Sequence, residues 1–341
     1  MWVRMQFSNA ENVFDENITK FILSDVRSTV YHLPAWLKAI SEAIGLKGNY
    51  LLIYDYDNLV GVIPFIIVNG IFHSLPYTTH CQPLIPEYLK LEDVIKNIKN
   101  LLPHIKGVRL KFREFNNYNS DKTYSYYFNH VISIGENIED YFNSLGRRSI
   151  RRFIKKSYDN GLKIRYGINE SDLKIFYNLE CKTRKSIGLP PAPYKFFLSL
   201  WKNLIVKDNI LLPIVEKDSQ PIASSLILKF RDQLNFEYTG MDKKYIDLFP
   251  NHFLHWEVIK KAHTDFGSRI IDLGRTDKNN TGLTFFKEKW NAERIDLIEY
   301  CENIRPRVKK GKMFNLFRWV NKHLSLKILQ IEGNLLFKKF E

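Results

Sequence analysis

The chain has 341 residues, 45% of them hydrophobic and 14% aromatic, with a formal net charge of +14 at pH 7. That length suits two domains rather than one core, and the composition excludes a disordered or low-complexity chain. Three scattered cysteines, Cys81, Cys181 and Cys301, do not make a disulfide framework, and no Cys or His pair has zinc-ligand spacing, so no metal site and a reducing compartment are expected.

The start of the chain lacks the long apolar core of a signal peptide, and the longest apolar run, residues 59–68, contains Gly61 and Pro64 and is too short to span a bilayer. These features predict a cytoplasmic protein. Charge is concentrated in two places. Residues 147–156 hold six Arg/Lys and no acid, and residues 305–341 hold ten Lys/Arg against Glu332 and Glu341, while the remainder is neutral. The two patches, rather than a general basic character, decide which anions the protein meets.

In chain order, residues 28–44 read as a loop and a helix with Pro34 in its first turn and Gly45 at its end. Strands over 50–54 and 59–68 are joined by a polar turn, and 71–86 is a proline- and aromatic-rich loop holding His73, Tyr77 and His80. A helix over 89–105 and strands over 108–113 and 124–134 follow.

Residues 137–160 have the pattern of one long helix ended at Asn160-Gly161. Its six cations, Arg147, Arg148, Arg151, Arg152, Lys155 and Lys156, cover about half the circumference, with Ile150, Phe153 and Ile154 opposite. Like charges at i,i+4 weaken an isolated helix, and a merely solvated face would interleave acids, so a phosphate or polyanion ligand is favoured over a plain surface. After Gly161 come a strand over 163–166, helices over 171–185 and 194–206, strands over 211–216, 222–230 and 234–241, and a helix from Pro250 to Gly267. Residues 50–68 and 212–228 share one hairpin pattern, suggesting two copies of an α/β module.

Residues 270–290 are the centre of the reading. A buried strand over 269–273 breaks at Gly274, a polar loop over 275–280 follows, and an aromatic-basic turn, Phe285-Phe286-Lys287, closes it. Ligands of open α/β sheets bind at the carboxyl ends of strands. Here Asp272, Arg275 and Lys287 cluster at such an end. The plainer reading, in which Asp272 caps the loop and Lys287 is solvated, stays open for each residue singly.

Six segments together resemble the FemAB-like branch of the GNAT acyltransferases: residues 147–156 with Gly161, 220–224, 237–242, 249–257, 271–275 and 286–290. The likeness is strong over 140–300 and weak over 30–135, and order and spacing carry it. It implies an α/β (mixed α+β) fold of two tandem GNAT-like domains, a degenerate N-terminal one over 1–136 and an acyltransferase domain over 137–304; residues 305–341 read separately as a basic amphipathic helical tail. It implies acyl transfer to an amine. An acyl-CoA donor and an amino sugar or cell-envelope acceptor, small or lipid-linked, are the first expectation, and an aminoacyl-tRNA donor is the alternative. A departure bears on this choice. The Gly-rich loop that holds the pyrophosphate of acetyl-CoA in GNAT enzymes is here residues 242–250, with no Gly.

The resemblance places Lys287 near the reaction centre, for oxyanion or phosphate stabilisation, and matches Arg148 to the arginine that opens the basic helix. Glu237 and Asp272 are candidate bases, and strand alternation allows only one of Glu237 and Tyr238 to face the site. Tyr238 is the candidate proton donor. Arg148, Arg152, Arg275, Asn251 and His252 are candidate substrate- or phosphate-binding residues, although a packed or solvated histidine is the simpler reading of His252 and His255. In the tail, Met313, Leu316, Phe317, Val320 and Leu324 recur at helical spacing beside Lys309, Lys310, Lys312, Arg318 and Lys322. This suits an in-plane helix over 306–341 on an anionic membrane, peripheral to the inner face, or equally a helix packed on the enzyme with a basic outer face. A nucleic-acid-binding module and a catalytically dead scaffold are the rival classes.

Overall fold

Residues 5–113, 121–305 and 311–337 are described by the structure, a computed structural model. The chain forms two compact units. One holds the residues up to Tyr127 and a segment from Asp296 onwards; the other holds Phe128–Ile295 and the C-terminal helices. The segment from Asp296, which lies within the acyltransferase domain expected over 137–304, falls in the first unit.

In the first unit, β1 (Met5–Asn9), β2 (Gly48–Asp55) and β3 (Asn58–Val68) pair antiparallel. Next to β3 lies the short β4 (Ile71–His73), which pairs parallel with β5 (Gly107–Phe112). Helices α1 (Glu16–Ser24), α2 (Pro34–Ile44) and α3 (Leu91–Leu101) flank the sheet. Pro34 opens α2, where its missing N–H is not needed, and Gly45 closes it in the left-handed conformation. Leu51, Ile53, Phe65, Phe72, Val94, Ile98 and Leu110 are among the side chains of the core.

Strand β6 (Thr123–Ser133) runs from one unit into the other. The expected long helix over 137–160 is broken. Helix α4 (Ile138–Ser144) stops at Leu145, a π-helical turn over Arg147–Arg151 follows, and α5 (Arg152–Asp159) completes the segment. The cause is visible in the burial: Leu145, Ile150 and Ile154 all enter the core. A continuous α-helix places residues five apart on rather different faces; here the backbone is extended at Leu145 (φ −70°, ψ 145°) and winds again as the π turn, and Leu145 and Ile150 both reach the core.

Strand β7 (Lys163–Tyr166) and helices α6 (Glu170–Ile187) and α7 (Tyr194–Leu204) come next. The cap of α6 is Asn169, whose side chain accepts from Asp172 N, two residues before the start read from the sequence. Strands β8 (Ile210–Leu211), β9 (Pro213–Lys217), β10 (Gln220–Phe230) and β11 (Gln233–Met241) follow, then α8 (Pro250–Phe266), β12 (Ile270–Asp277), α9 (Thr281–Glu288) and β13 (Glu293–Glu302). The order β6-β12-β11-β10-β9-β7 makes the sheet of the second unit, with β8 also on β10. In the first unit, the end of β13 pairs antiparallel with β5. Helices α10 (Lys312–His323) and α11 (Leu326–Leu336) end the described chain, within the stretch read as a helical tail; the spacing quoted from the sequence covered the residues of the first alone.

The suspected repeat has a structural counterpart. Each unit has an antiparallel hairpin, β2–β3 or β9–β10, and each has a three-residue parallel ladder, β4 with β5 or β11 with β12.

Helix α6 lies directly on β11. A Cβ at Gly240 would stand 2.3 Å from Glu180 N and 2.5 Å from Leu179 C. Thr183 Oγ1 accepts from Met241 N at 2.8 Å, and Lys182 pairs with Asp242 at 2.6 Å. Gly240→Ala must push backbone from backbone, so we expect a loss of about 3 kcal/mol, seen as a lower Tm in calorimetry. A Tm within a degree of the parent would show that α6 is not held by this contact.

Candidate active site

The parallel ladder of β11 and β12 runs from Gln233–Ile270 to Asn235–Asp272 and stops. Each strand is irregular just beyond. On β11, Leu226 faces Tyr238 and Ile227 faces Phe236, which leaves Glu237 as the extra residue of a bulge. The strict alternation assumed for Glu237 and Tyr238 therefore does not hold there. On β12, Gly274 has φ +74°, a conformation that favours glycine, and a Cβ there would lie 2.8 Å from Phe236 O. The strand continues through Gly274 to Asp277, so the loop begins later than the sequence suggests.

Asp272 is buried, at 1% exposure. Its Oδ1 accepts from Gly274 N at 2.7 Å and its Oδ2 from Asn129 Nδ2 at 2.8 Å. It thus fastens the Gly274 kink to β6. The kink in turn offers two carbonyls to Lys287, whose Nζ donates to Gly274 O at 2.8 Å and Arg275 O at 3.3 Å. Lys287 is 6% exposed, and burial pushes its pKa down to about 8 against the pull of Asp272. An ammonium has three donors, so one N–H remains for a ligand after the two carbonyls are served.

A second cluster centres on Tyr238. Burial pushes its phenol well above the ordinary value, and Glu237, Arg275, Glu180 and Arg184 all act on it electrostatically. Phe196 and Phe197 meet its ring edge-on at 5.8 and 5.1 Å. The two clusters share Arg275, whose side chain is a charged neighbour of Tyr238 and whose carbonyl holds Lys287.

Glu180 was not singled out from the sequence. It is 5% exposed, and burial pushes its carboxyl up to about 7, with Arg184 opposing. No hydrogen bond to this carboxylate is formed among the described residues. The signal was there: Leu173, Phe176, Tyr177 and Glu180 fall at i, i+3, i+4 and i+7, which puts a carboxylate in phase with the apolar stripe of α6. The neighbouring Arg184 makes it look like a surface i,i+4 pair.

At the start of α8, Phe249 occupies the cap position with φ +59° and no side-chain cap, and Pro250 supplies no N–H. The ring of Phe153 stacks on Phe249 at 4.6 Å, and His252 contacts Phe153, Phe249 and Phe286 edge-on. Burial pushes His252 down to about 4 and His255 down to about 3, so both are neutral near pH 7. His255 stacks on Phe236 at 4.6 Å. Asn251 is half-buried, with its carbonyl accepting from His255 Nδ1 at 2.7 Å. This helix end is an aromatic plug, which does not suit phosphate.

The basic segment is open instead. Arg147, Arg148, Arg152, Lys155 and Lys156 are exposed, and none of them pairs with a carboxylate among the described residues. Arg151 donates to Asn143 Oδ1 at 3.1 Å. Arg152 lies over the Phe153 ring at 5.1 Å and Lys156 over Phe249 at 5.8 Å. Two aromatic rings thus floor part of a cationic surface.

Residues 144–288 match the Acetyltransferase (GNAT) domain family. The crystal structure of FemX superposes with a TM-score of 0.68 at 12% identity, covering 87% of this chain and 98% of that one. A tandem GNAT protein from the clavulanic acid biosynthesis pathway gives 0.54 at 7%, covering 89% and 100%. The fold is therefore that of tandem GNAT proteins. In sequence, the lipid II:glycine glycyltransferase of Staphylococcus haemolyticus is 26% identical over 131 residues, 33% of this chain and 31% of that protein. That of Staphylococcus epidermidis is 28% identical over 136 residues, 33% of this chain and 32% of that one. The match thus spans about a third of the length of these relatives. The chain carries a GNAT acetyltransferase-type domain over residues 144–288 and is similar, over about a third of its length, to lipid II:glycine glycyltransferases.

Proposed function

We propose that the protein is a Fem-type aminoacyltransferase, moving an aminoacyl group from aminoacyl-tRNA to the amine of a lipid-linked cell-envelope precursor. The likeness to lipid II:glycine glycyltransferases favours this over the acyl-CoA and amino-sugar reading that the sequence put first. The observation that carries the donor choice is the start of α8. Backbone N–H groups at that helix end would have to hold the pyrophosphate of a CoA ester. Pro250 removes one of them, and Phe249, Phe153 and His252 cover the position. A polyanionic donor has the unpaired cations of residues 147–156 instead.

The reaction balances as follows. The amine lone pair attacks the ester carbonyl, a C–N bond forms, and the C–O bond to the tRNA ribose breaks. The amine proton goes to a carboxylate, and the ribose oxygen gains one. Lys287 directs its remaining N–H at the carbonyl oxygen as that oxygen becomes an anion. Glu180 is the best-tuned base, because a pKa near 7 leaves it half ionised at neutral pH. Glu237, in the bulge, is the second candidate. Tyr238 keeps its proton at working pH and suits donation to the leaving oxygen. Asp272, with both oxygens already engaged, positions Gly274 and through it Lys287. Arg148, Arg152 and Arg275 are the anion-binding residues of this account.

Two results are expected of Glu180→Gln. The activity that rises with pH through about 7 loses that limb, because the neutral amide cannot take the amine proton. Stability changes in the opposite sense. The folded carboxyl binds its proton more tightly than the unfolded one, so folding stability is full below about pH 4.5 and declines as pH rises through about 7. The variant lacks that decline. It should be more stable than the parent at pH 8, by on the order of 1–3 kcal/mol, and equal at pH 4. An unchanged pH–rate profile would remove Glu180 from the mechanism. Donor choice is tested by titrating the protein with charged tRNA, deacylated tRNA and acetyl-CoA at one stated salt concentration. Saturable binding of the CoA ester without competition from tRNA would overturn the reading.

A further inference from the structure

Helices α10 and α11 are fixed to the second unit by one side only. Arg318 Nε donates to Ile187 O at 2.9 Å, and Gln330 reaches Cys181 Sγ at 3.5 Å, so both helices are tied to α6. Asn321 Nδ2 donates to Glu332 at 3.0 Å and joins them to each other. Phe337 packs edge-on against Phe196 at 5.1 Å, and Asn321, Leu329 and Gly333 are buried.

The opposite sides are apolar. On α10, Met313 is 85% exposed, Leu316 60%, Trp319 61% and Val320 40%. On α11, Ile328, Ile331 and Leu335 are 49%, 59% and 70% exposed. Positions 313, 316 and 320 and positions 328, 331 and 335 each follow the i, i+3, i+7 spacing of a single helical face. The sequence reading allowed a packed helix with a basic outer face. The outer face is instead apolar, and the exposed cations Lys322 and Lys327 sit beside it. Lys309 and Lys310 lie outside the described residues. No helix among the described residues is long and apolar enough to cross a membrane.

We infer that α10 and α11 form a docking surface that rests on an anionic lipid bilayer, with Leu316, Trp319, Ile331 and Leu335 entering the headgroup–acyl boundary. Charge selects this occupant over a second copy of the chain. Lys322 and Lys327 are exposed, and the segment 305–341 carries ten Lys/Arg and two acids in its sequence, so two copies of the segment would repel each other, whereas an anionic leaflet attracts it. Apolar side chains on a helix mounted parallel to a surface, with a tryptophan among them and lysines at the edge, are the pattern of an interfacial helix. The surface brings the protein to the plane in which a lipid-linked amine resides. It does not depend on the acyl-transfer reading, because vesicle binding involves no reaction.

The test is co-sedimentation with phosphatidylglycerol–phosphatidylcholine vesicles and with pure phosphatidylcholine vesicles, at low salt and at high salt. Leu316→Glu with Ile331→Glu is expected to weaken binding to the anionic vesicles at least tenfold, with the circular dichroism spectrum unchanged since both side chains are exposed. The parent should bind the neutral vesicles at least tenfold less well. A second measurement does not depend on charged variants. Lipids with brominated acyl chains should quench part of the tryptophan emission of the parent, and Trp319→Phe should lose that part. Equal binding by parent and double variant, or quenching unchanged in Trp319→Phe, would overturn the proposal. So would a parent dimer in light scattering that the double variant converts to a monomer, since the face would then belong to a second copy.

Discussion

Lys287→Met is expected to lower kcat by about 10²–10³-fold, the usual cost of removing one donor to a developing oxyanion, with donor KM within about threefold. The site favours so clean an outcome. Asp272, Asn129 and Gly274 hold the kink without Lys287, so the variant removes a charge without moving the scaffold. Two stability effects oppose each other. The shift of the ammonium from its ordinary value to about 8 corresponds to a cost of about 3 kcal/mol for burying the charge, and the variant is relieved of it. Against that, Gly274 O and Arg275 O lose their donor, at ~1–3 kcal/mol each. The terms are of the same size, so Tm should move by only a few degrees. Lys287→Arg should not restore activity, because a planar guanidinium does not fit a site cut to two carbonyls and one open N–H. The pH profile gives a third handle. Lys287 acts as a donor only while protonated, so activity should fall as pH rises through about 8. Folding stability should rise over the interval from about 8 to the ordinary lysine value, where the unfolded chain still binds the proton. A Lys287→Met enzyme with near-normal turnover, or a profile flat through pH 8, would remove Lys287 from the chemistry.

The second large effect belongs to the basic segment. Arg148→Ala, Arg152→Ala and Lys155→Ala combined should raise the KM for charged tRNA by about 10²-fold at moderate salt, with kcat nearly unchanged. If each residue meets a phosphate, the slope of log affinity against log salt should shrink by about 2–3. The segment itself should not suffer. Arg148–Arg152 and Arg151–Lys155 are like charges at i,i+4, and their removal slightly favours the helix. The segment is anchored by Ile150 and Ile154, which the substitutions leave alone. An unaltered salt slope would mean that these cations do not touch the donor.

Most strands were legible because β2, β3, β9, β10 and β11 are bounded by polar turns and carry β-branched residues, and the hairpin likeness between residues 50–68 and 212–228 reappears as matching ladders. What sequence periodicity could not show was irregularity. The break at Leu145–Gly146 is set by where Leu145, Ile150 and Ile154 must point. The bulge at Glu237 and the kink at Gly274 depend on partner strands. These irregularities shape the candidate site, so candidates such as Asp272, Arg275 and Lys287 were named from the sequence while their relations were not. Asp272 was named as a base but sits with both oxygens occupied, and His252 was named as a ligand group but is packed among phenylalanines. Glu180 went unnoticed because an acid followed four residues later by an arginine on a helix is the commonest of surface patterns. Burial alone separates it from that class.

The most direct test of the account is a transfer assay in which the purified protein is given tRNA charged with labelled amino acids, or labelled acetyl-CoA, together with lipid II in phosphatidylglycerol vesicles. The account predicts that label passes from charged tRNA to the lipid extract, as a stable amide that adds one or more amino-acid residues to the mass of the acceptor, and that Lys287→Met slows this transfer by about 10²–10³-fold. Label arriving from acetyl-CoA with charged tRNA inert would contradict the account and make the protein an acyl-CoA-dependent enzyme.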